Sequence, residues 1–254
     1  MNQESLLAYR NFLKDSVRQN IDFGNTAQSR GVPPPPLQKP FPEGAERVCL
    51  PKEEVWPSVR QTDLVGAIGR RRSHRRFDRE ALSLEELSFL LWATQGVVDV
   101  LDSGTALRTV PSAGCRHALE TYVCLFRVGE LPEGIYRYLP VEHELCCVRK
   151  THQLRQSLVE AVLGQAFVGT SAVTFVWSTI PYRMEWRYDL AAHKVIAIDA
   201  GHVCQNLYLA CSAIGAGTCA VAAYDQQRMD RLVGADGKDE FVLYLAPVGK
   251  IPKQ

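Results

Sequence analysis

Apolar positions recur at helical spacing in several stretches and alternate, or run unbroken, in others. Residues 5–18 carry a weak amphipathic pattern that predicts a short helix. TDLVGAIGRR, at 62–71, predicts a second helix with Leu64, Val65 and Ile68 facing inward. Ser83 followed by Glu86 forms a capping box that opens a helix over LEELSFLLWATQG, with Leu84, Leu87, Leu90 and Leu91 as its apolar stripe and Gly96 as its stop. ETYVCLFRV, GIYRYLP and ELCCVR predict three strands joined by turns. THQLRQSLVEAVLGQAF predicts one helix through Leu154, Leu158, Val162 and Leu163. SAVTFVWSTI predicts a buried strand. IDAGHVCQNLYLACSAIG predicts a long helix, with Val203, Leu207, Ala210 and Ile214 at helical spacing, buried on more than one side. Asp225 caps a short helix ending near Gly234, and EFVLYLAPVG predicts a last strand. Hairpins and long crossovers occur together, which points to an α+β fold.

The first sixty residues differ. RGVPPPPLQKPFPEG, at 30–44, predicts extended chain, because each proline ring fixes φ and removes a donor. VCLP predicts a short strand and EEVWP a turn. Residues 1–60 are expected to form an arm that packs on the domain built by residues 61–254.

With 29 Lys and Arg against 28 Asp and Glu, the net charge is +1, so a general field for nucleic acid or an anionic membrane is not expected. No apolar run reaches transmembrane length, and the N-terminus lacks a signal-peptide pattern. The eight cysteines include no C-x-x-C, and the six histidines have no metal-ligand spacing. Reduced thiols in a cytoplasmic protein without a metal are expected.

The densest chemistry lies at residues 70–79, where six arginines surround Ser73, His74, Phe77 and Asp78. Guanidinium forks bind phosphate bidentately, and a cluster this local suits one phosphate of a small cofactor. Thr109–Val110–Pro111–Ser112–Ala113–Gly114–Cys115 is a turn of small residues that a flat ligand could approach. Gly215–Ala216–Gly217–Thr218–Cys219–Ala220 matches the dinucleotide fingerprint only superficially, since it follows a helix rather than a strand. Asp99 and Asp102 read as a polar loop rather than an acid/base pair. No nucleophile elbow or phosphate-binding Walker loop is present.

Taken together, Arg71–Arg72–Ser73–His74–Arg75, LSLEELSFLLWATQG, RTVPSAGCRHALETY, GIYRYLP, AGHVCQNLYLACSAIG and APVGK resemble the nitroreductase family of FMN enzymes. They are most similar to its branch of azoline-oxidising dehydrogenases, the SagB type. The resemblance covers about residues 60–250. It implies an α+β fold with a central, mostly antiparallel sheet flanked by helices, in an intertwined homodimer with FMN at the subunit interface. It implies that Arg71, Arg72, Ser73 and Arg75 grip the FMN phosphate, ribityl chain and ring edge. Pro111, Ser112, Ala113 and Cys115 would come from the partner subunit, and the backbone of Val221, Ala222 and Ala223 would pass near flavin N5. Lys250 would be a C-terminal basic contact, with Lys253 as the other available lysine.

The branch places a Lys–Tyr pair where this chain has Arg187–Tyr188. A guanidinium stays protonated and is a poor base, which leaves Tyr188 as the catalytic candidate. The expected activity is two-electron transfer through flavin N5 from NAD(P)H to a small nitroaromatic or quinone-like acceptor. The alternatives are a peptide azoline dehydrogenase and a non-enzymatic flavin-binding protein.

Overall fold

Strands buried at every position form the centre of a seven-stranded sheet, and helices close both of its faces. The computed structural model describes residues 3–52 and 56–252. In chain order the elements begin with α1 (Gln3–Phe12), β1 (Arg47–Cys49), α2 (Leu64–Arg70), α3 (Leu84–Gln95), β2 (Val97–Asp102) and β3 (Thr105–Arg108). The central part comprises β4 (Leu119–Leu125), β5 (Gly134–Leu139), β6 (Glu144–Lys150), α4 (Leu154–Ala161), α5 (Ala166–Gly169) and β7 (Val173–Thr179). The last part comprises α6 (Tyr182–Tyr188), α7 (Ala192–Ala213), β8 (Ala216–Thr218), α8 (Gln226–Val233) and β9 (Phe241–Lys250).

The sheet order is β1-β6-β5-β4-β7-β9-β8, with every neighbouring pair antiparallel. Period-two geometry sends Val123, Leu125, Phe175 and Trp177 to one face, against α3 and α7. It sends Tyr122, Cys124 and Val176 to the other, against α4 and α8. β4 and β7 are covered on both faces, so every position is buried, including the polar Glu120, Thr121, Thr174 and Ser178.

The capping box on α3 forms as expected: Ser83 Oγ accepts from Glu86 N at 3.1 Å, and Glu86 Oε2 accepts from Ser83 N at 2.9 Å. Ser83→Ala should lower stability by about 1 kcal/mol in a denaturant titration. Gly96 ends this helix through close approach, since a Cβ there would lie 2.5 Å from Trp92 Cδ1.

Several expectations need correction. The residue 5–18 helix stops at Phe12, and Ser16–Asn20 is a 3-10 turn. On α2, Leu64, Val65 and Ile68 face outward, and only Ala67 is buried. Residues 151–167 form two helices, because Leu163 and Gly164 both take positive φ and break the hydrogen-bond ladder. The loop expected around Asp99 and Asp102 is the β2–β3 hairpin, and α6 is an additional helix. On α7, one broad face is buried through Ile196, Ala200, Val203, Leu207 and Cys211, whereas Ile198, Gly201, His202, Gln205 and Ser212 are exposed. Leu207 therefore belongs to its own chain's core. The expected VCLP strand is β1. The EEVWP turn falls largely on residues 53–55, outside the described residues.

The proline-rich chain runs over the rest of the molecule. Trp186 Nε1 donates to the Val32 carbonyl at 2.8 Å, and Gln28 N donates to the Trp186 carbonyl at 2.9 Å. Pro34 packs directly on Gly104 in the β2–β3 turn. Lys39 N donates to Glu120 Oε1 at 2.7 Å, and Arg137 donates to the carbonyls of Lys39 and Pro40. All eight cysteines are free thiols. Among the described residues, no helix is long and apolar enough to cross a membrane.

Candidate active site

The arginine cluster begins where α2 ends. Asp63 caps the start of α2 through Val65 N and Gly66 N, and at the other end the chain leaves the helix at Arg71 with φ −51° and ψ 126°. It then runs beside β8: Ser73 bridges Thr218, and His74 N donates to the Thr218 carbonyl at 2.9 Å. This places Arg71, Arg72 and His74 along a cavity of about 480 Å³, with Tyr208, Gly215 and Gly217 opposite them.

Tyr208 organises this cavity. Its hydroxyl accepts from Ala220 N at 2.9 Å and shares a 3.0 Å hydrogen bond with Ser73 Oγ. The Arg71 guanidinium lies 5.2 Å from its ring centroid. Arg75 lies 5.8 Å from the Phe167 ring. Neither Arg71 nor Arg75 has a carboxylate partner among the described residues, and Arg72 donates only to the carbonyls of Gly69 and Arg71. Unmatched guanidiniums beside a hydroxyl form a donor set for an anion. Val221 pairs with Leu245 in both directions, whereas the exposed Ala222 and Ala223 have no backbone N–H partner among the described residues. Lys250 is committed elsewhere: its Nζ donates to Glu86 Oε1 at 2.5 Å and to the Ile214 carbonyl at 2.6 Å. Lys253 lies outside the described residues.

The second candidate group is separate. Pro111 is exposed at the start of a turn in which Ala113–Cys115 makes a 3-10 helix. Ser112 Oγ donates to Asp199 Oδ2 at 2.6 Å and accepts from His117 N at 3.0 Å. Burial raises the Asp199 carboxyl, and the Ser112 hydroxyl offsets part of that rise. Gly114, Cys115 and His117 all take positive φ, so the turn is tightly coiled. A Cβ at Gly114 would lie 2.7 Å from the Tyr188 hydroxyl oxygen and 2.9 Å from Arg187 Nε. Tyr188 therefore stands directly against the turn. Sequence reading did not single out Tyr208 or Asp199, and it placed Arg116 within the resembling segment RTVPSAGCRHALETY without a role; the polar tip of Tyr208 inside an apolar helix was the one available clue to that residue.

Asp199 and Tyr208 both lie on α7, nine positions apart. That spacing is about 13.5 Å along the axis and half a turn around it. The arginine cavity and the Pro111–Cys115 turn therefore depart from opposite faces of one helix, and a single chain does not bring them together.

His117 is buried beside Arg108, Arg116 and Arg183, and burial plus these charges lower its pKa to about 3. Its ring nitrogen Nε2 lies 3.1 Å from the Ala106 carbonyl, which suits a neutral ring donating there. The folded protein then binds fewer protons than the unfolded chain between pH 3 and the ordinary histidine value. Stability falls as the pH drops through that window. His117→Gln should remove a slope of up to about 1.4 kcal/mol per pH unit from chemical denaturation at pH 4–6. His143, also held low by burial, leaves a residual slope of the same sign.

The sequence pattern of the Nitroreductase family matches residues 68–250. The nitroreductase-like protein MJ1384 of Methanocaldococcus jannaschii is 30% identical over 194 residues, covering 76% of this chain and 94% of that protein. The trifolitoxin operon protein TfxC of Rhizobium leguminosarum bv. trifolii is a more distant homologue, 25% identical, covering 90% of this chain and 66% of TfxC. The crystal structure of a nitroreductase-like protein from Ralstonia eutropha JMP134 superposes with a TM-score of 0.67 at 28% identity, over 87% of this chain and all of that one. Sheet, helices and sequence thus agree, and the chain is a member of the nitroreductase family, an oxidoreductase with that family's α+β fold.

Proposed function

We propose that this protein is an FMN-dependent oxidoreductase that works as a homodimer. In this reading Arg71, Arg72, Ser73 and Arg75 of one copy hold the phosphate and ribityl chain. The turn Pro111–Ser112–Ala113–Cys115 of the other copy covers the ring system. The donors suit the group: Arg71, which lines the cavity, and Arg75 have no counter-ions among the described residues, Ser73 carries a hydroxyl beside Tyr208, and the N–H groups of Ala222 and Ala223 have no partner among the described residues. Lys250 is left out of this set, because its charge is matched by Glu86. Bound FMN supplies two-electron hydride chemistry at N5. The protein's residues bind, orient and cover it.

The observation that carries the dimer reading is the separation of the two groups across α7. A second copy would also cover the exposed Leu64, Val65 and Ile68 and the outward face of α7. With a nitroaromatic acceptor the balance is R–NO2 + NAD(P)H + H⁺ → R–NO + NAD(P)⁺ + H2O. This transfer needs no buried acid/base pair, in keeping with a site built mainly from cations and small residues.

Purified protein should be yellow, release FMN rather than FAD on heating, and bleach with NADH or NADPH under anaerobic conditions. Colourless protein that takes up no added FMN contradicts the reading. Bound flavin that no nicotinamide or acceptor reduces or reoxidises would indicate a binding protein instead. A second reading, peptide azoline dehydrogenation, draws support from the likeness to TfxC and from Tyr188 at the turn. There FMN would supply the hydride acceptor, and Tyr188, ionised to its phenolate, would take the substrate proton. Arg187, unable to accept a proton, counts against it.

A further inference from the structure

Two guanidiniums meet at Gly114. Arg116 Nε donates to the Gly114 carbonyl at 3.0 Å, and Arg187 lies against the same residue, 2.9 Å from where a Cβ would stand. Arg116 is 8% exposed, and its Nη2 donates to Thr105 Oγ1 at 2.8 Å. Neither arginine has an ion-pair partner among the described residues. Each is backed by an aromatic ring: Arg116 stands 5.2 Å from the Trp186 ring centroid, and Arg187 stands 5.6 Å from that of Tyr188.

The surroundings do not neutralise this pair. Arg108 is half-buried nearby and donates to Gln95 and the Leu37 carbonyl, with no carboxylate partner among the described residues. Glu120 is shared between Arg137 and Arg183. Asp102 acts on Arg116 from a distance while its carboxylate caps Gly104 N. Cys115, Tyr188 and the neutral His117 are the other titratable neighbours. Like charges held together on an apolar backing, beside the turn that would cover the ring system, mark a place that an anion completes.

We propose that Arg116 and Arg187 clamp an oxyanion on the electron acceptor, so that the acceptor is a flat conjugated molecule bearing a carboxylate. This rests on the flavin oxidoreductase reading of the same site. Guanidinium forks match the two coplanar oxygens of a carboxylate, and the rings behind them keep each fork flat. Arg187 then has a binding role at a position where it cannot serve as a base. A phosphate on the nicotinamide donor offers related oxyanion chemistry, and the test separates the two.

The experiment compares 4-nitrobenzoate with neutral 4-nitrobenzamide, and NADH with NADPH, on the flavin-loaded protein and its Arg187→Ala and Arg187→Lys variants. Benzoate binding is measured in parallel by calorimetry. The intact protein should favour nitrobenzoate in kcat/KM by about tenfold or more, through KM. Arg187→Ala should bring the ratio of the two acceptors near one and weaken benzoate binding by about tenfold. Arg187→Lys should keep part of both. Equal losses on both acceptors would show a merely structural residue and overturn the proposal. Loss of a preference for NADPH over NADH, with the acceptor ratio intact, would assign the clamp to the donor's phosphate and overturn it too. Failure of the flavin reading appears separately, as absent flavin and no turnover of either acceptor, while benzoate calorimetry still reports on the clamp.

Discussion

Glu120→Ala should destabilise the folded protein by about 3–5 kcal/mol, a large share of a typical domain's stability. Glu120 is 3% exposed on β4. Its Oε1 accepts from Arg183 Nη2 at 2.6 Å and from Lys39 N at 2.7 Å, and its Oε2 accepts from Arg137 Nη1 at 3.2 Å. One carboxylate thus ties β4 to β5, to α6 and to the proline-rich chain. Its removal strands two buried guanidiniums and one backbone N–H. Urea titration of Glu120→Ala beside Glu120→Gln checks this, because the amide retains an acceptor and should cost less. Burial pushes the Glu120 carboxyl up, but Arg183 and Arg137 overcome that and hold it below its ordinary range. Its stabilising contribution is therefore complete above the unfolded carboxylate value and is lost as the pH falls through the lower folded value. A variant as stable as the parent would show that the network is not coupled to folding.

Arg71→Ala combined with Arg75→Ala should weaken FMN binding by about a hundredfold or more, since each removes a charge-assisted contact. Both side chains extend from the segment after α2, and neither makes an ion pair among the described residues. The apoprotein should accordingly melt close to the parent apoprotein, whereas the stabilisation normally given by added FMN should shrink by mass action. Thermal melts at graded FMN concentrations report both quantities. Undiminished FMN stabilisation would remove the phosphate role from these arginines.

The legible parts of this sequence were those set by local pattern. Ser83 and Glu86 announced α3, and the largely apolar SAVTFVWSTI announced β7 as a buried strand. The arginines at 70–79 stood out as a candidate anion site because their density departs from the chain's near-neutral balance. Facing was harder to read. Leu64, Val65 and Ile68 look like a core stripe, yet one chain leaves them uncovered, and periodicity does not say which body will cover an apolar face. The break at Leu163–Gly164 depends on two consecutive residues of positive φ, one of them a leucine, which no propensity favours. Lys250 looked available because it sits near the end of the strand, and its commitment to Glu86 is a contact across 164 positions of sequence. Tyr208, Asp199 and Arg116 acquire meaning only from what packs beside them.

The central claim is that each flavin site takes its arginine cavity from one copy and its Pro111–Cys115 turn from the other. Co-expression of two defective chains tests it most directly. One carries Arg71→Ala with Arg75→Ala; the other carries Gly114→Val, which forces a branched side chain into φ +57° and against Tyr188. Separately tagged chains allow the mixed dimer to be isolated. If the site is shared, the mixed dimer combines both defects at one site and leaves the other intact, so it should bind about one FMN per dimer and show about half the turnover of the unsubstituted protein. Both parental variants alone should bind little. A mixed dimer as empty and inactive as its parents, or a parent monomer that holds stoichiometric FMN, would contradict the shared site.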